Sequence, residues 1–542
     1  MKTESMVELI LQTAKRYPDA IACSMGRQTW TYRQLMEDIR LFSAKLTAAG
    51  IRPYQKVAVA LPNIYQTVVV FYALNQLHTT ICMIHPMTSP IQFASRMSEV
   101  SCDTWITLDA LYARFSSVSG EFTSILLEVS DSLLGIKKTL RKLSSDKKCF
   151  LLPSVINLSK MDGYGIIPEL IPFENNETSL ILFSSGTTGR NKAIVLSNES
   201  MNSLTHQMSY CIDPIPSVDS MLCILPLFHG FGLGVCLHTV LALGGRVILV
   251  PRFSKKNFTK AVLNGKPTYI AGVPELFRHL LLDKHFINGD LTFLKQAFCG
   301  GDRVSDDLIR HFNMIAKRQN SPAQLQVGYG STETLTACCV MPRNVEKNGS
   351  IGQPLNGNKM MIYDNERDCE SVLGEIGEIL VSGPTLMKEY YRDPLLSKQI
   401  LIEHNGLTYC HTRDYGYCDS DGYFYFSYRN NGLLKVKGYF VNPIEIEDIF
   451  YRHPNVSECQ VICDNNGKLI AMISLKSPYR LNQTKKEIFA SLNVQLDRWS
   501  LPKSIILVKH LPKNEVNKID AREISRQINC RQVPLFLAEW SL

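Results

Sequence analysis

Apolar and polar positions along the 542-residue chain switch repeatedly between two periods. Short, mainly apolar runs at 57–61, 80–84, 105–108, 221–225 and 246–250 have the length of buried strands. Between them, apolar positions spaced three or four apart at 93–100 and 257–263 predict helices, and Val7, Ile10 and Leu11 form a similar stripe near the N-terminus. This alternation predicts α/β layers for residues 1 to about 425. The clearest break is Ser427-Tyr428-Arg429-Asn430-Asn431-Gly432, a predicted polar turn between the aromatic run 423–426 and a new strand at 433–436. The expected architecture is therefore a large N-terminal multi-subdomain α/β domain, residues 1–428. A small hinged C-terminal α+β domain, residues 429–542, follows it. A cleft between two such domains is a usual place for a ligand.

Composition narrows the class. A hydrophobic content of 45% with 20% charged residues is that of a globular protein. The formal charge of +8 suits small anionic ligands but is too diffuse to argue for nucleic acid. The 16 cysteines are scattered, with neither C-x-x-C nor H-E-x-x-H, so free thiols in a reducing cytoplasm are expected and a structural zinc site is not. Acidic Glu4 within an amphipathic start argues against a signal peptide. Stretches such as 67–74 and 240–250 are shorter than a membrane span or broken by Gly244-Gly245-Arg246, so no integral membrane segment is expected. Residues 137–148 carry six Lys or Arg beside Leu133-Leu134. A solvated helix face and a patch for a membrane surface or acidic partner both fit that run.

The most chemically informative segment is Ser184-Ser185-Gly186-Thr187-Thr188-Gly189-Arg190-Asn191-Lys192, set between apolar runs at 180–183 and 193–196. Glycine lets successive backbone N–H groups turn into one concavity, hydroxyls add rotatable donors, and the cations answer a polyanion. A polyphosphate is the natural guest. A Walker-type loop needs G-x-x-x-x-G-K-[ST] before a helix. Here Asn191 stands at the second glycine position, Ala193 follows Lys192, and the next run looks extended. An ordinary hairpin turn rarely needs nine such residues.

Three further segments carry candidate chemistry. In Gln326-Val327-Gly328-Tyr329-Gly330-Ser331-Thr332-Glu333, glycines on both sides of Tyr329 let the backbone pass close to a flat ligand, with the ring free to stack. Glu333 offers a hard oxygen for the Mg²⁺ that phosphates bring. A core tyrosine in a glycine turn is the alternative. In His411-Thr412-Arg413-Asp414, an aspartate at the end of a strand is placed to accept ribose hydroxyls, although many such residues only cap turns. Lys518 lies in the loop Lys513-Asn514-Glu515-Val516-Asn517-Lys518, where a lysine is usually a solvated charge.

These segments, in this order over nearly the whole chain, resemble the adenylate-forming superfamily of acyl-CoA synthetases, peptide-synthetase adenylation domains and luciferases. The similarity continues through Lys435-Val436-Lys437-Gly438-Tyr439 and Pro443-Ile444-Glu445-Ile446-Glu447. It implies that a carboxylate attacks the α-phosphate of ATP, giving an acyl-adenylate, and that the acyl group then passes to a thiol. Ser184, Ser185, Gly186, Thr187, Thr188, Gly189 and Lys192 are then implied at the β- and γ-phosphates, and Gly328, Tyr329 and Gly330 at adenine. Thr332 is implied near the α-phosphate, Glu333 on Mg²⁺, and Asp414 on the ribose with Arg429 beside it. Lys518 would bridge carboxylate and α-phosphate oxygens. A rotation pivoting at Asn431 would bring Lys435, Lys437 and Gly438 forward for the coenzyme A step.

The resemblance also places His229 at the mouth of the thiol tunnel and Gly300, in Cys299-Gly300-Gly301-Asp302, in a turn against the adenylate. His229 stands where amino-acid-activating relatives place an aspartate, as in acyl- and aryl-CoA ligases. Gly230, Gly232 and Gly234 beside Phe231 and Leu233 are expected to leave volume for an apolar acyl pocket. Asn191, Ala193, Arg413 and Asn517 depart from the pattern, each replacing a residue that shapes the backbone. The expected partners are a small carboxylic acid, fatty or otherwise apolar, and coenzyme A. The alternatives are an acyl-AMP ligase that loads a carrier protein's phosphopantetheine and a non-catalytic nucleotide-binding homologue.

Overall fold

The computed structural model describes residues 4–115, 117–128, 155–161, 173–174, 177–184, 192–429, 434–436, 439–441, 443–464, 467–477, 479–496, 500–513, 519–530, 532–533 and 536–541. The basic run at 137–148 lies outside them. The chain forms two compact units: 1–375 with 379–412 and 417–425, and 376–378 with 413–416 and 426–542.

The predicted strands of the first unit are present within a residue or two at each end, and the helices predicted at 93–100 and 257–263 are Pro90–Glu99 and Lys255–Gly265. Its smaller sheet runs Glu389–Tyr390, Lys192–Ser197, Thr178–Ser184, Thr80–Met83, Lys56–Ala60, Thr104–Leu108, Thr123–Leu127 and Val155–Asn157. From Thr178–Ser184 onward the pairs are parallel, and the first two strands join antiparallel. A second sheet has a parallel run of Leu325–Tyr329, Gln296–Gly300, Tyr269–Gly272, Ser220–Cys223, Arg246–Leu249 and Ile21–Met25. Parallel strands buried on both faces carry continuous apolar runs, which is why the segments at 57–61, 80–84, 105–108, 221–225 and 246–250 were legible.

The helix Tyr65–Gln76 is buried at all twelve positions, as expected of a helix apolar all round. Its few polar side chains do specific work. Asn75 Oδ1 accepts the Val7 N–H at 3.0 Å, and Asn198 Oδ1 accepts the Met6 N–H at 3.2 Å. Two otherwise orphaned donors in the first turn of the helix Met6–Arg16 are thereby satisfied. Tyr72 meets His238 Nδ1 at 3.0 Å, and His238 Nε2 meets Asn202 Oδ1 at 2.9 Å. Burial, helped by His206, pushes His238 down to about 3, so its ring stays neutral in this network.

In the second unit a four-stranded sheet runs Val456–Cys463, Leu469–Leu475, Ser504–Val508 and Phe536–Ser541. Successive side chains go to opposite faces. Val461, Ala471, Ile473, Ile505 and Leu507 join Ile446, Phe450, Ile488 and Leu492 in one core. Ile462, Ile470, Met472, Ile506 and Val508 meet Ile524 in another. The helices Pro443–Arg452 and Leu481–Gln495 supply the first core, and Ala521–Asn529 supplies the second.

Two expectations need correction. Ser427, Tyr428 and Arg429 are not in a turn but finish the strand Phe424–Arg429. Tyr428 stacks on Tyr415 at 5.1 Å between centroids, and cross-strand aromatic pairing of this kind stabilises extended backbone. Asp414 does not end a strand: the strand Leu407–Cys418 continues past it. Among the described residues, no helix is long and apolar enough to cross a membrane.

Candidate active site

The segment expected to cradle phosphate joins two long antiparallel strands. Ser184 pairs directly with Lys192 as the last rung of the ladder between Thr178–Ser184 and Lys192–Ser197. The extended run after the loop is therefore present. Ser185, Gly186, Thr187, Thr188, Gly189, Arg190 and Asn191 lie outside the described residues.

Lys192 is carried to a defined place by a strand far along the chain. Glu389–Tyr390 pairs with Lys192–Ser197, setting Tyr390 opposite Ile194. The Lys192 Nζ lies 4.9 Å from the centroid of the Tyr390 ring, within cation–π range. The Tyr390 hydroxyl donates to Glu333 Oε1 at 2.8 Å, and the Met387 N–H donates to the Glu333 carbonyl at 2.7 Å. Lys192 and Glu333 thus meet on one buried side chain. Sequence reasoning did not single out Tyr390, because its partners lie 57 residues away and further. No local pattern announces an edge-strand pairing.

Glu333 sits in a tight turn. Gly328 pairs with Gly300, and a Cβ on Gly300 would approach the Gly328 carbonyl oxygen to 2.6 Å. A Cβ on Gly330 would reach the Thr336 oxygen at 1.7 Å, so only glycine fits there. Tyr329 is half-buried, and its carbonyl accepts the Cys338 N–H at 2.9 Å. Thr332 opens the short 3₁₀ turn Thr332–Thr334, and the Ser331 N–H donates to Thr334 Oγ1 at 2.9 Å. Leu335 and Thr336 then adopt left-handed φ values of +48° and +77°. For a β-branched residue this is strained backbone, held by the Thr336 N–H donating to the Ser331 carbonyl at 2.7 Å.

Gly230, next to His229, approaches the same turn. Buried Asn63 satisfies the segment before it, donating to the Leu225 carbonyl at 2.8 Å and accepting the Leu227 N–H at 3.1 Å. The chain then enters a nine-residue π-helix, Phe231–Thr239, a form frequent at functional sites. A Cβ on Gly230 would stand 3.3 Å from Thr336 Cβ, so the His229-Gly230 corner packs on the turn after Glu333.

At Gly232 and Gly234 themselves the space is taken up by protein atoms. A Cβ on Gly232 would meet the carbonyl oxygens of Pro226 and Leu225 at 2.3 and 2.6 Å, and one on Gly234 would meet Leu204 at 2.6 Å. These glycines permit close packing of the helix at those two positions. Burial pushes the Cys299 thiol, next to Gly300, well up, so it stays protonated.

In the second unit, Asp414 accepts from Arg429 Nε at 3.0 Å, with the carboxylate nearly buried and the guanidinium half-exposed. Arg413 adopts φ +61° and its N–H donates to Glu378 Oε1 at 2.8 Å. This left-handed kink inside the strand is one of the positions where the chain departs from the family pattern. Lys435 is on the strand Leu434–Val436, while Lys437 and Gly438 lie outside the described residues. Lys518 does too; the flanking Lys513 and Ile519 form an isolated antiparallel bridge, and Lys513 Nζ pairs with buried Glu458 at 2.7 Å.

The donor set fits Mg²⁺ bound with a nucleotide. Among the described residues no group of three or more His, Cys, Asp or Glu could hold a metal by itself. Mg²⁺ typically takes one or two carboxylates and draws its other ligands from phosphates and water. Glu333 would hold the ion, which when bound neutralises charge on the phosphates.

Comparison with known proteins gives the chain's family. The chain is 25% identical over 544 residues to the long-chain-fatty-acid–CoA ligase of Bacillus subtilis (strain 168), covering 97% of this chain and 94% of that one. It is 27% identical over 475 residues to a probable 4-coumarate–CoA ligase 1 of Dictyostelium discoideum, covering 85% and 83%. Its fold matches the crystal structure of the anthranilate CoA ligase AuaEII in complex with anthranoyl-AMP, with a TM-score of 0.83, 20% identity and 98% of each chain covered. The family model for the AMP-binding enzyme matches residues 10–391, and that for the AMP-binding enzyme C-terminal domain matches residues 445–518. The chain belongs to the AMP-binding enzyme family.

Proposed function

We infer that this protein is an AMP-forming acid–thiol ligase. It activates a carboxylic acid with ATP to an acyl-adenylate and passes the acyl group to coenzyme A. The carrying observation is that Lys192, closing the hydroxyl- and glycine-rich loop, and Glu333 converge on Tyr390 within a chain that matches both family models in order. Adenylation brings two anions together, so the protein's work is to neutralise charge and align the attack. In this reading Ser184 to Lys192 hold the β- and γ-phosphates, Tyr329 stacks on adenine, and Thr332 lies near the α-phosphate. Asp414 takes the ribose, with Arg429 beside it. Lys518 stabilises the charge that builds as the carboxylate attacks. For thiol transfer the reading assigns Lys435, Lys437 and Gly438 to the pantetheine arm and His229 to its entrance.

The acid is proposed to be fatty or otherwise apolar, supported by relatives named for long-chain fatty acids and for 4-coumarate. The carrier protein's phosphopantetheine is the alternative acceptor, and the proposed setting is the cytoplasm. Pyrophosphate–ATP exchange tests the reading. With Mg²⁺ and a panel of fatty and aryl acids, labelled pyrophosphate should enter ATP only when an accepted acid is present. Tight ATP binding with no exchange across the panel would instead identify a non-catalytic nucleotide binder. A follow-up with coenzyme A or a holo carrier protein as sole acceptor separates the two thiol partners.

A further inference from the structure

We propose that Tyr390 is a positioning residue for the nucleotide's metal ion, orienting the Glu333 carboxylate while supporting Lys192 on its ring. The inference rests on the adenylation reading above. Tyr390 is only 3% exposed. Its backbone is fixed by pairing with Ile194 and by donating its N–H to Ser397 Oγ at 2.9 Å. The hydroxyl occupies Glu333 Oε1 at 2.8 Å, and Met387, three residues earlier, fixes the Glu333 carbonyl at 2.7 Å. One short segment therefore holds Glu333 at both backbone and side chain, leaving Oε2 for the ion.

The need for such support follows from the donor set. Mg²⁺ demands near-ideal octahedral geometry. With Glu333 as its carboxylate, a rotation of that group changes where the ion and its phosphates sit. A hydrogen bond to the non-ligating oxygen removes that freedom, the usual role of a group behind a metal ligand. The ring adds a second constraint. Lys192 Nζ lies 4.9 Å from its centroid, so the cation bound for the phosphates and the carboxylate bound for the metal share one rigid support.

Tyr390→Phe keeps the ring and removes the hydroxyl. We expect the Mg²⁺ concentration for half-maximal pyrophosphate exchange to rise about tenfold, with the KM for the acid and the melting temperature nearly unchanged. Binding of Mn²⁺ in the presence of ATP, followed by electron paramagnetic resonance without turnover, should weaken by a similar factor. Tyr390→Leu should in addition raise the KM for ATP, because the support for Lys192 is lost. In a Glu333→Gln background, Tyr390→Phe should add no further loss of Mn²⁺ binding. Wild-type Mn²⁺ affinity in Tyr390→Phe, or equal losses in both backgrounds, would overturn the proposal. An inert wild-type protein in the exchange assay would count against the adenylation reading, while the Mn²⁺ measurement would still judge Tyr390 separately.

Discussion

Arg413 holds a backbone conformation that its side chain disfavours. Its φ of +61° is in the left-handed region, where a non-glycine residue pays roughly 1 kcal/mol or more. The kink persists because the residues around it over-determine it: the Arg413 N–H is fixed by Glu378 and the next residue, Asp414, by Arg429. Arg413→Gly should therefore raise stability by about 1 kcal/mol, read as a higher urea midpoint, without weakening the Asp414–Arg429 pair. An unchanged or lower midpoint would mean that the arginine side chain contributes more than its backbone costs. Substitution at this position was legible in the sequence, but its conformational cost appears only in the fold.

At the scale of elements, the π-helix Phe231–Thr239 shows how far spacing alone can mislead. Three glycines in alternate positions look like room for a ligand. The backbone carbonyls of Leu225 and Pro226 occupy that room at Gly232, and Leu204 occupies it at Gly234. Carbonyls in a turn held by Asn63 cannot retreat, whereas the end of a leucine can rotate. Gly232→Ala should cost about 1–3 kcal/mol by overpacking, and Gly234→Ala clearly less. Denaturation midpoints of the two variants compare them directly, and equal losses would show that the turn yields as easily as the leucine. The strands and helices themselves were visible beforehand because their apolar period is local. The strand ending at Arg429 was not, because aromatic pairing across the sheet outweighs the polar character of Ser427 to Arg429.

For the whole molecule, the proposed division of labour predicts a split between half-reactions. Lys518→Ala should lower acyl-adenylate formation by on the order of 10²- to 10³-fold, the usual loss for one charge-stabilising donor. Thiolysis of a supplied acyl-adenylate should stay largely intact. Single-turnover assays of each step make the comparison, and equal losses in both would remove Lys518 from the proposed role. The order of the motifs along the chain carried this expectation.

The chain's own order of residues determined its layers, its candidate phosphate, metal and ribose groups, and the chemistry that calls for such groups together. Those features depend on local period and on residue type, both present before folding. Only the tertiary structure decided that Tyr390 would join Lys192 to Glu333, that Gly232 would be filled by carbonyls, and that Arg413 would bend a continuous strand. Each of these depends on which distant segment arrives alongside. Sheet pairing and close packing settle that, and they join residues with no neighbouring pattern in common.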